Sequence, residues 1–100
     1  MAEFVCPEAP WDSIAIDIMG PIGARGKFVI AVIDLFSHWL YVKVVEKAGT
    51  QIVLSYLDEL FVSEGIPTYL LSDNGVQFVS TQAKQYFKDC GIAHRTTSLY

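Results

Sequence analysis

The chain has 100 residues, enough for one small domain around a single core and too few for two. At 52% hydrophobic residues it exceeds the usual apolar share, which excludes a disordered or low-complexity segment and leaves apolar surface in want of a partner. Seven Lys and Arg against eleven Asp and Glu give a net charge of -4, which argues against an unaided nucleic-acid binder, because such proteins display a basic face.

Residues 1–9 read as a loose lead-in, with Met1-Ala2-Glu3-Phe4 in part a cloning remnant, and residues 10–100 as one domain. Residues 12–19 form the first predicted strand. Ile14, Ile16 and Ile18 alternate there with Ser13, Ala15 and Asp17, so one face is apolar and Asp17 projects from the other among small neighbours. A lone buried carboxylate costs several kcal/mol, so Asp17 is expected to be solvated, paired or metal-bound.

Gly20 through Gly26 link this strand to a second over residues 27–35. The apolar run Phe28 to Phe36 contains Asp34 and falls far short of the roughly 20 residues that cross a bilayer, so no membrane partner is expected. If the first two strands pair, Asp34 lies near Asp17. A turn-capping role suits it better, its carboxylate accepting from the backbone near Ser37. After Ser37-His38 comes a third strand, residues 39–46, and the short links imply an antiparallel meander.

Thr50 is the expected N-cap of a helix with Val53, Leu57, Leu60 and Phe61 on one face. Gly65, in the left-handed position, and Pro67 end it. A strand over residues 68–72 follows. Ser80 then caps a second helix that turns Ala83, Phe87 and Cys90 inward, Gly91 stops it, and residues 92–97 form a last strand. The pattern is α/β: a mixed five-stranded sheet, three antiparallel strands and then two crossover units, with helices.

The segment Leu70-Leu71-Ser72-Asp73-Asn74-Gly75-Val76-Gln77-Phe78 runs an apolar strand into an acid-polar-glycine turn and then a helix start. A carboxylate at a strand end is well placed to bind a metal. The same residues are also readable as only a turn, with Asn74 and Gly75 supplying the left-handed backbone.

Taken with Trp11, Asp17 and Gly20-Pro21, and with Val32-Ile33-Asp34-Leu35-Phe36-Ser37-His38-Trp39, this segment resembles the catalytic core of retroviral and long-terminal-repeat retrotransposon integrases, most closely the gypsy type. The likeness covers roughly residues 10–100. Ser72 through Phe78 match the family's Ser-Asp-Asn-Gly-x-x-Phe block at every fixed position.

The resemblance implies a ribonuclease H-like fold whose first and fourth strands lie side by side and bring Asp17 and Asp73 together. It implies Asp17 and Asp73 as catalytic residues and as ligands of Mg²⁺ or Mn²⁺, with DNA as partner. The family has a third carboxylate, a Glu on the next helix. No Glu or Asp follows Asp89, so the chain is expected to be a core cut before the third acid, its C-terminal helices missing and itself inactive. Two metals about 3.5 to 4 Å apart serve phosphodiester transfer, one at the attacking and one at the leaving oxygen, and two acids do not complete both shells.

The readings are therefore a fragment of a DNA-integrating polynucleotidyl transferase, a host-domesticated integrase-derived module that binds nucleic acid or protein without catalysis, or a cellular nuclease of the same fold. Asn74, Lys84 and Lys88 are the candidate nucleic-acid contacts, the two lysines lying four apart on one helix face. If the absent helices normally cover one sheet face, a homodimer or higher oligomer is expected. Cys6 and Cys90 are too few for a disulfide framework and suit an intracellular, nuclear protein. His38 and His94 read as structural or surface residues.

Overall fold

The computed structural model describes residues 9–97. The lead-in expected before residue 9, with Cys6, and the chain end after Thr97 lie outside the described residues. Five strands and three helices follow in the order β1 (Ser13–Ile22), β2 (Lys27–Asp34), β3 (Leu40–Val45), α1 (Thr50–Glu64), β4 (Tyr69–Ser72), α2 (Val76–Val79), α3 (Thr81–Cys90) and β5 (Ala93–Thr96).

The strands form one mixed sheet in the order β3-β2-β1-β4-β5. β1, β2 and β3 pair antiparallel, as their short connections require, while β4 joins β1 and β5 joins β4 in parallel through helical crossovers. This is the ribonuclease H-like arrangement expected from the motifs.

Strand parity divides the molecule. Ile14, Ile16, Ile30, Val32 and Leu70 point to one face and pack there with Val53, Leu57, Leu60, Phe61, Phe78, Ala83 and Phe87 from the helices. At about 25 cal/mol per Å² of apolar surface removed from water, this cluster is the main source of stability. The opposite parity carries three rows across the sheet: Val44, Val29 and Met19; Val42, Ala31 and Asp17; Leu40, Ile33, Ala15 and Leu71. Among the described residues the helices cover only the first face, and Leu40, Val42 and Val44 remain more than half exposed.

Several local features differ from the sequence expectation. β1 runs to Ile22 instead of ending at residue 19, because a bulge between Met19 and Ile22 carries the strand through Gly20. Gly20 has φ +134° and lies so close to the next strand that a Cβ would meet the Lys27 carbonyl oxygen at 2.8 Å. Only glycine fits. The turn is thus confined to residues 23–26.

Thr50 is not the N-cap of α1; it is the first helical residue, and Gly49 caps without a side-chain bond. Gly65 has the positive φ expected of a helix stop, but its ψ of 172° is extended, not left-handed helical. The Ser80 cap and the left-handed Gly91 are as expected, with the Ser80 hydroxyl accepting from the Ala83 amide at 3.2 Å. The four-residue α2 fits the helix start expected after Gly75, though it is separate from α3.

Candidate metal centre

Asp17 and Asp73 come together because of a register. Ser13 pairs with Tyr69 and Ala15 with Leu71 along the parallel β1–β4 ladder, partners 56 positions apart, and Asp73 is likewise 56 positions after Asp17. Extending the ladder by two residues brings the acids level, just where β4 ends. Both line one cleft of about 270 Å³ with Ala15, Ile16, Leu71, Ser72 and Thr97.

Both acids are exposed. The Asp17 Oδ1 accepts from the Ile18 amide at 3.0 Å, and the Asp73 Oδ1 accepts from the Gly75 amide at 2.8 Å. Neither carboxylate is in an ion pair among the described residues, where the one such pair is Lys43 with Glu59. Each acid therefore keeps an oxygen without a protein donor there. Two hard, anionic oxygen donors over an apolar floor suit a cation such as Mg²⁺ or Mn²⁺, which favours oxygen ligands and keeps several waters. Among the described residues no group of three or more His, Cys, Asp or Glu side chains gathers, so the donor set is two carboxylates.

The turn after Asp73 is built for this exposure. A Cβ on Gly75 would meet the Asp73 Oδ1 at 3.0 Å and the Gln77 Oε1 at 2.9 Å, so glycine lets the carboxylate fold back onto the Gly75 amide. Phe78 is 1% exposed and anchors α2 in the core. The glycine and phenylalanine of the motif are thus positional.

Asp34 has the opposite character. It is buried on the helix-covered face and accepts from the Trp11 amide at 2.9 Å, the Phe36 amide at 3.0 Å and the Ser37 hydroxyl at 3.0 Å. It caps the turn, as expected, and holds Trp11, whose indole donates to the Gly65 carbonyl. Asp17 pairs instead with Ala31, on the other parity.

None of the remaining candidates lines the cleft itself. Asn74 is exposed beside Asp73. Lys84, in the first half of α3, is exposed and near enough to His94 to disfavour its protonation. α3 runs back toward the start of β5, so Lys88 lies one turn further along, about 6 Å by helical rise.

His94, expected to be structural or superficial, is half-buried against Phe87, and its Nε2 lies 2.7 Å from the Ser72 hydroxyl. Burial first, and the Lys84 charge second, hold its pKa below the ordinary histidine value. Sequence reasoning missed this contact. Parity with the buried Ile92, two positions earlier, signals the burial of His94 but not its partner.

Residues 7–100 match the family described as the integrase core domain. The chain belongs to that family. It is 34% identical over 94 residues to the uncharacterized protein K02A2.6 of Caenorhabditis elegans, which covers 94% of this chain and 7% of that protein. To the Gag-Pol polyprotein of avian reticuloendotheliosis virus it is 25% identical over 95 residues, covering 92% of this chain and 8% of the polyprotein. The chain thus spans under a tenth of the length of these curated relatives.

Solved integrase cores share its fold. The HTLV-2 integrase catalytic core domain in complex with magnesium, in its trimeric form, superposes with a TM-score of 0.81 at 20% identity over 88% of this chain and 60% of that one. A simian T-cell lymphotropic virus intasome in complex with the PP2A regulatory subunit B56 gamma gives 0.82 at 20% identity, over 91% and 33%. The integrase core family and the ribonuclease H-like fold expected from the motifs are therefore both established for this chain.

Proposed function

We propose that this chain is part of a gypsy-type retrotransposon integrase core, a metal-dependent polynucleotidyl transferase that processes and joins DNA ends, with Asp17 and Asp73 as its catalytic metal ligands. The observation that carries this reading is the convergence of two exposed carboxylates in one cleft at the β1–β4 junction. Bound Mg²⁺ or Mn²⁺ would supply activation of the attacking oxygen and stabilisation of the leaving oxygen in phosphodiester exchange.

The chain's own residues perform the binding and orientation. Asp17 and Asp73 present oxygen donors side by side, and Ala15 and Leu71 give them an apolar floor that strengthens their attraction for a cation. Asn74 and Lys84 meet the phosphate backbone beside the cleft, with a smaller share from Lys88. Two acids make a weak site, so the polypeptide alone binds metal without turning DNA over. Its open apolar sheet face supports self-association, and dimeric and trimeric forms are described for the HTLV-2 core.

A melt in millimolar Mn²⁺ tests the site, because a ligand that binds only the native state raises the melting temperature. The expected result is a rise for the native chain that Asp73→Asn abolishes. An unchanged melt of the native chain overturns the metal assignment, and metal-dependent nicking that Asp73→Asn removes overturns the inactivity.

A second reading, a domesticated module that binds nucleic acid or protein without catalysis, is favoured by the net charge of -4. It predicts binding to a partner that is unaffected by Asp17→Asn.

A further inference from the structure

We propose that His94 is a positioning residue for Asp73 and acts through the hydroxyl of Ser72. The inference rests on the metal-site reading for its function, while the contact network behind it stands on its own.

Ser72 ends β4, is 3% exposed and immediately precedes Asp73. Its hydroxyl lies 2.9 Å from the Asp73 carbonyl oxygen and 2.7 Å from the His94 Nε2. A serine hydroxyl has one proton to give. The carbonyl can only accept, so the hydroxyl donates to Asp73 and the oxygen accepts from an Nε2–H of His94. The contact network therefore assigns the Nε2–H tautomer, and the imidazole completes a relay from β5 to the peptide unit that carries the second acid.

The other side of Ser72 is held by the residue that follows β5. Its carbonyl accepts from the Thr97 amide at 2.7 Å and from the Thr97 hydroxyl at 3.3 Å. The His94 ring is fixed by Phe87, with centroids 4.7 Å apart. Packing on Phe87 would accept any flat or apolar side chain, whereas the Ser72 oxygen requires a donor. That requirement separates positioning from mere filling. Ser72 clamped from both sides leaves the Asp73 backbone little freedom, and the Asp73 to Gly75 bond then sets the carboxylate. Groups that orient metal ligands in this way typically account for 10- to 100-fold in metal affinity.

The experiment compares the native chain with His94→Phe, which keeps a ring on Phe87 and removes the donor, and His94→Gln, whose amide nitrogen restores one. Two quantities are read, the Gly75 amide proton shift without metal and the Mn²⁺ dissociation constant. His94→Phe is expected to move the Gly75 resonance and weaken Mn²⁺ about tenfold, and His94→Gln to recover most of both. In a Ser72→Ala background His94→Phe should have no further effect, because the relay is already cut. If His94→Phe is too unstable to assay, His94→Met, which also removes the donor while keeping an apolar side chain against Phe87, is read in the same way.

A Gly75 resonance and a Mn²⁺ affinity that both ignore His94→Phe, or both ignore Ser72→Ala, overturn the proposal. If the native chain binds no Mn²⁺, the metal reading falls, and the Gly75 shift alone decides whether His94 positions Asp73.

Discussion

Asp17 and Asp34 sit on adjacent antiparallel strands of one sheet and differ in almost every physical respect. Asp34 shares the parity of Ile14 and Val32, faces the helices and has its charge satisfied by three donors. Asp17 shares the parity of Ala15, faces the open cleft and takes one local hydrogen bond. The contrast teaches that the period-two alternation of a strand, not the residue type, divides the buried acid from the cleft-lining one.

The two faces of the sheet can be set against each other by experiment, starting with the core. Leu70→Ala, at a side chain with no exposure, should cost about 3 to 4 kcal/mol in urea unfolding, whereas Leu40→Ala on the open face should stay within about 0.5 kcal/mol. Equal losses would mean that the open face is not solvent-facing.

The acids give the next largest difference. Asp34→Ala leaves buried donors without an acceptor and should cost about 2 to 3 kcal/mol, while Asp17→Asn should leave stability within about 0.5 kcal/mol and lower Mn²⁺ affinity. Stability and metal titrations on the same samples would expose an exchange of roles.

A smaller effect is tied to pH. The folded chain holds the pKa of His94 below its ordinary value of 6.5, so near and below that pH the unfolded chain binds more protons. Stability should therefore be fully present above about pH 6.5 and decline as pH falls through the lower folded value. His94→Phe should flatten that part of a stability–pH curve, and an unaltered curve would assign the titration elsewhere.

The smallest change in folding is expected from Val42→Lys, within about 0.5 kcal/mol, because its side chain is already 51% exposed. Its expected effect is on association: sedimentation should shift toward the monomer. An unshifted profile would remove the open face from the self-association reading.

Much of this contrast was legible in the sequence. The Ile14, Ile16, Ile18 alternation marks the covered parity of β1 and so the outward direction of Asp17, and the 3.6-residue spacing of Val53, Leu57, Leu60 and Phe61 marks the buried side of α1. Ser80 and Gly91 announce the ends of α3 through their capping chemistry. The failures arose where tertiary contacts override local signals. Gly20-Pro21 reads as a turn, yet the approach of Lys27 turns it into a bulged strand. Thr50 reads as a cap, but the chain enters α1 one residue earlier. The Ser72 to His94 bond joins residues 22 apart in sequence and depends on parallel pairing of β4 with β5, which no local pattern encodes.

The parallel ladder between β1 and β4 also bears on how such a domain tolerates length change. Since hydrogen-bond pairing aligns the two acids, extra residues in the hairpin at 23–26 or before α1 leave that alignment untouched and carry only a slowly growing closure entropy. Insertion of one residue within Ser13 to Asp17 would send that acid to the helix side of the sheet. Divergent copies should therefore accumulate gaps in their loops while the length of this strand segment stays constant.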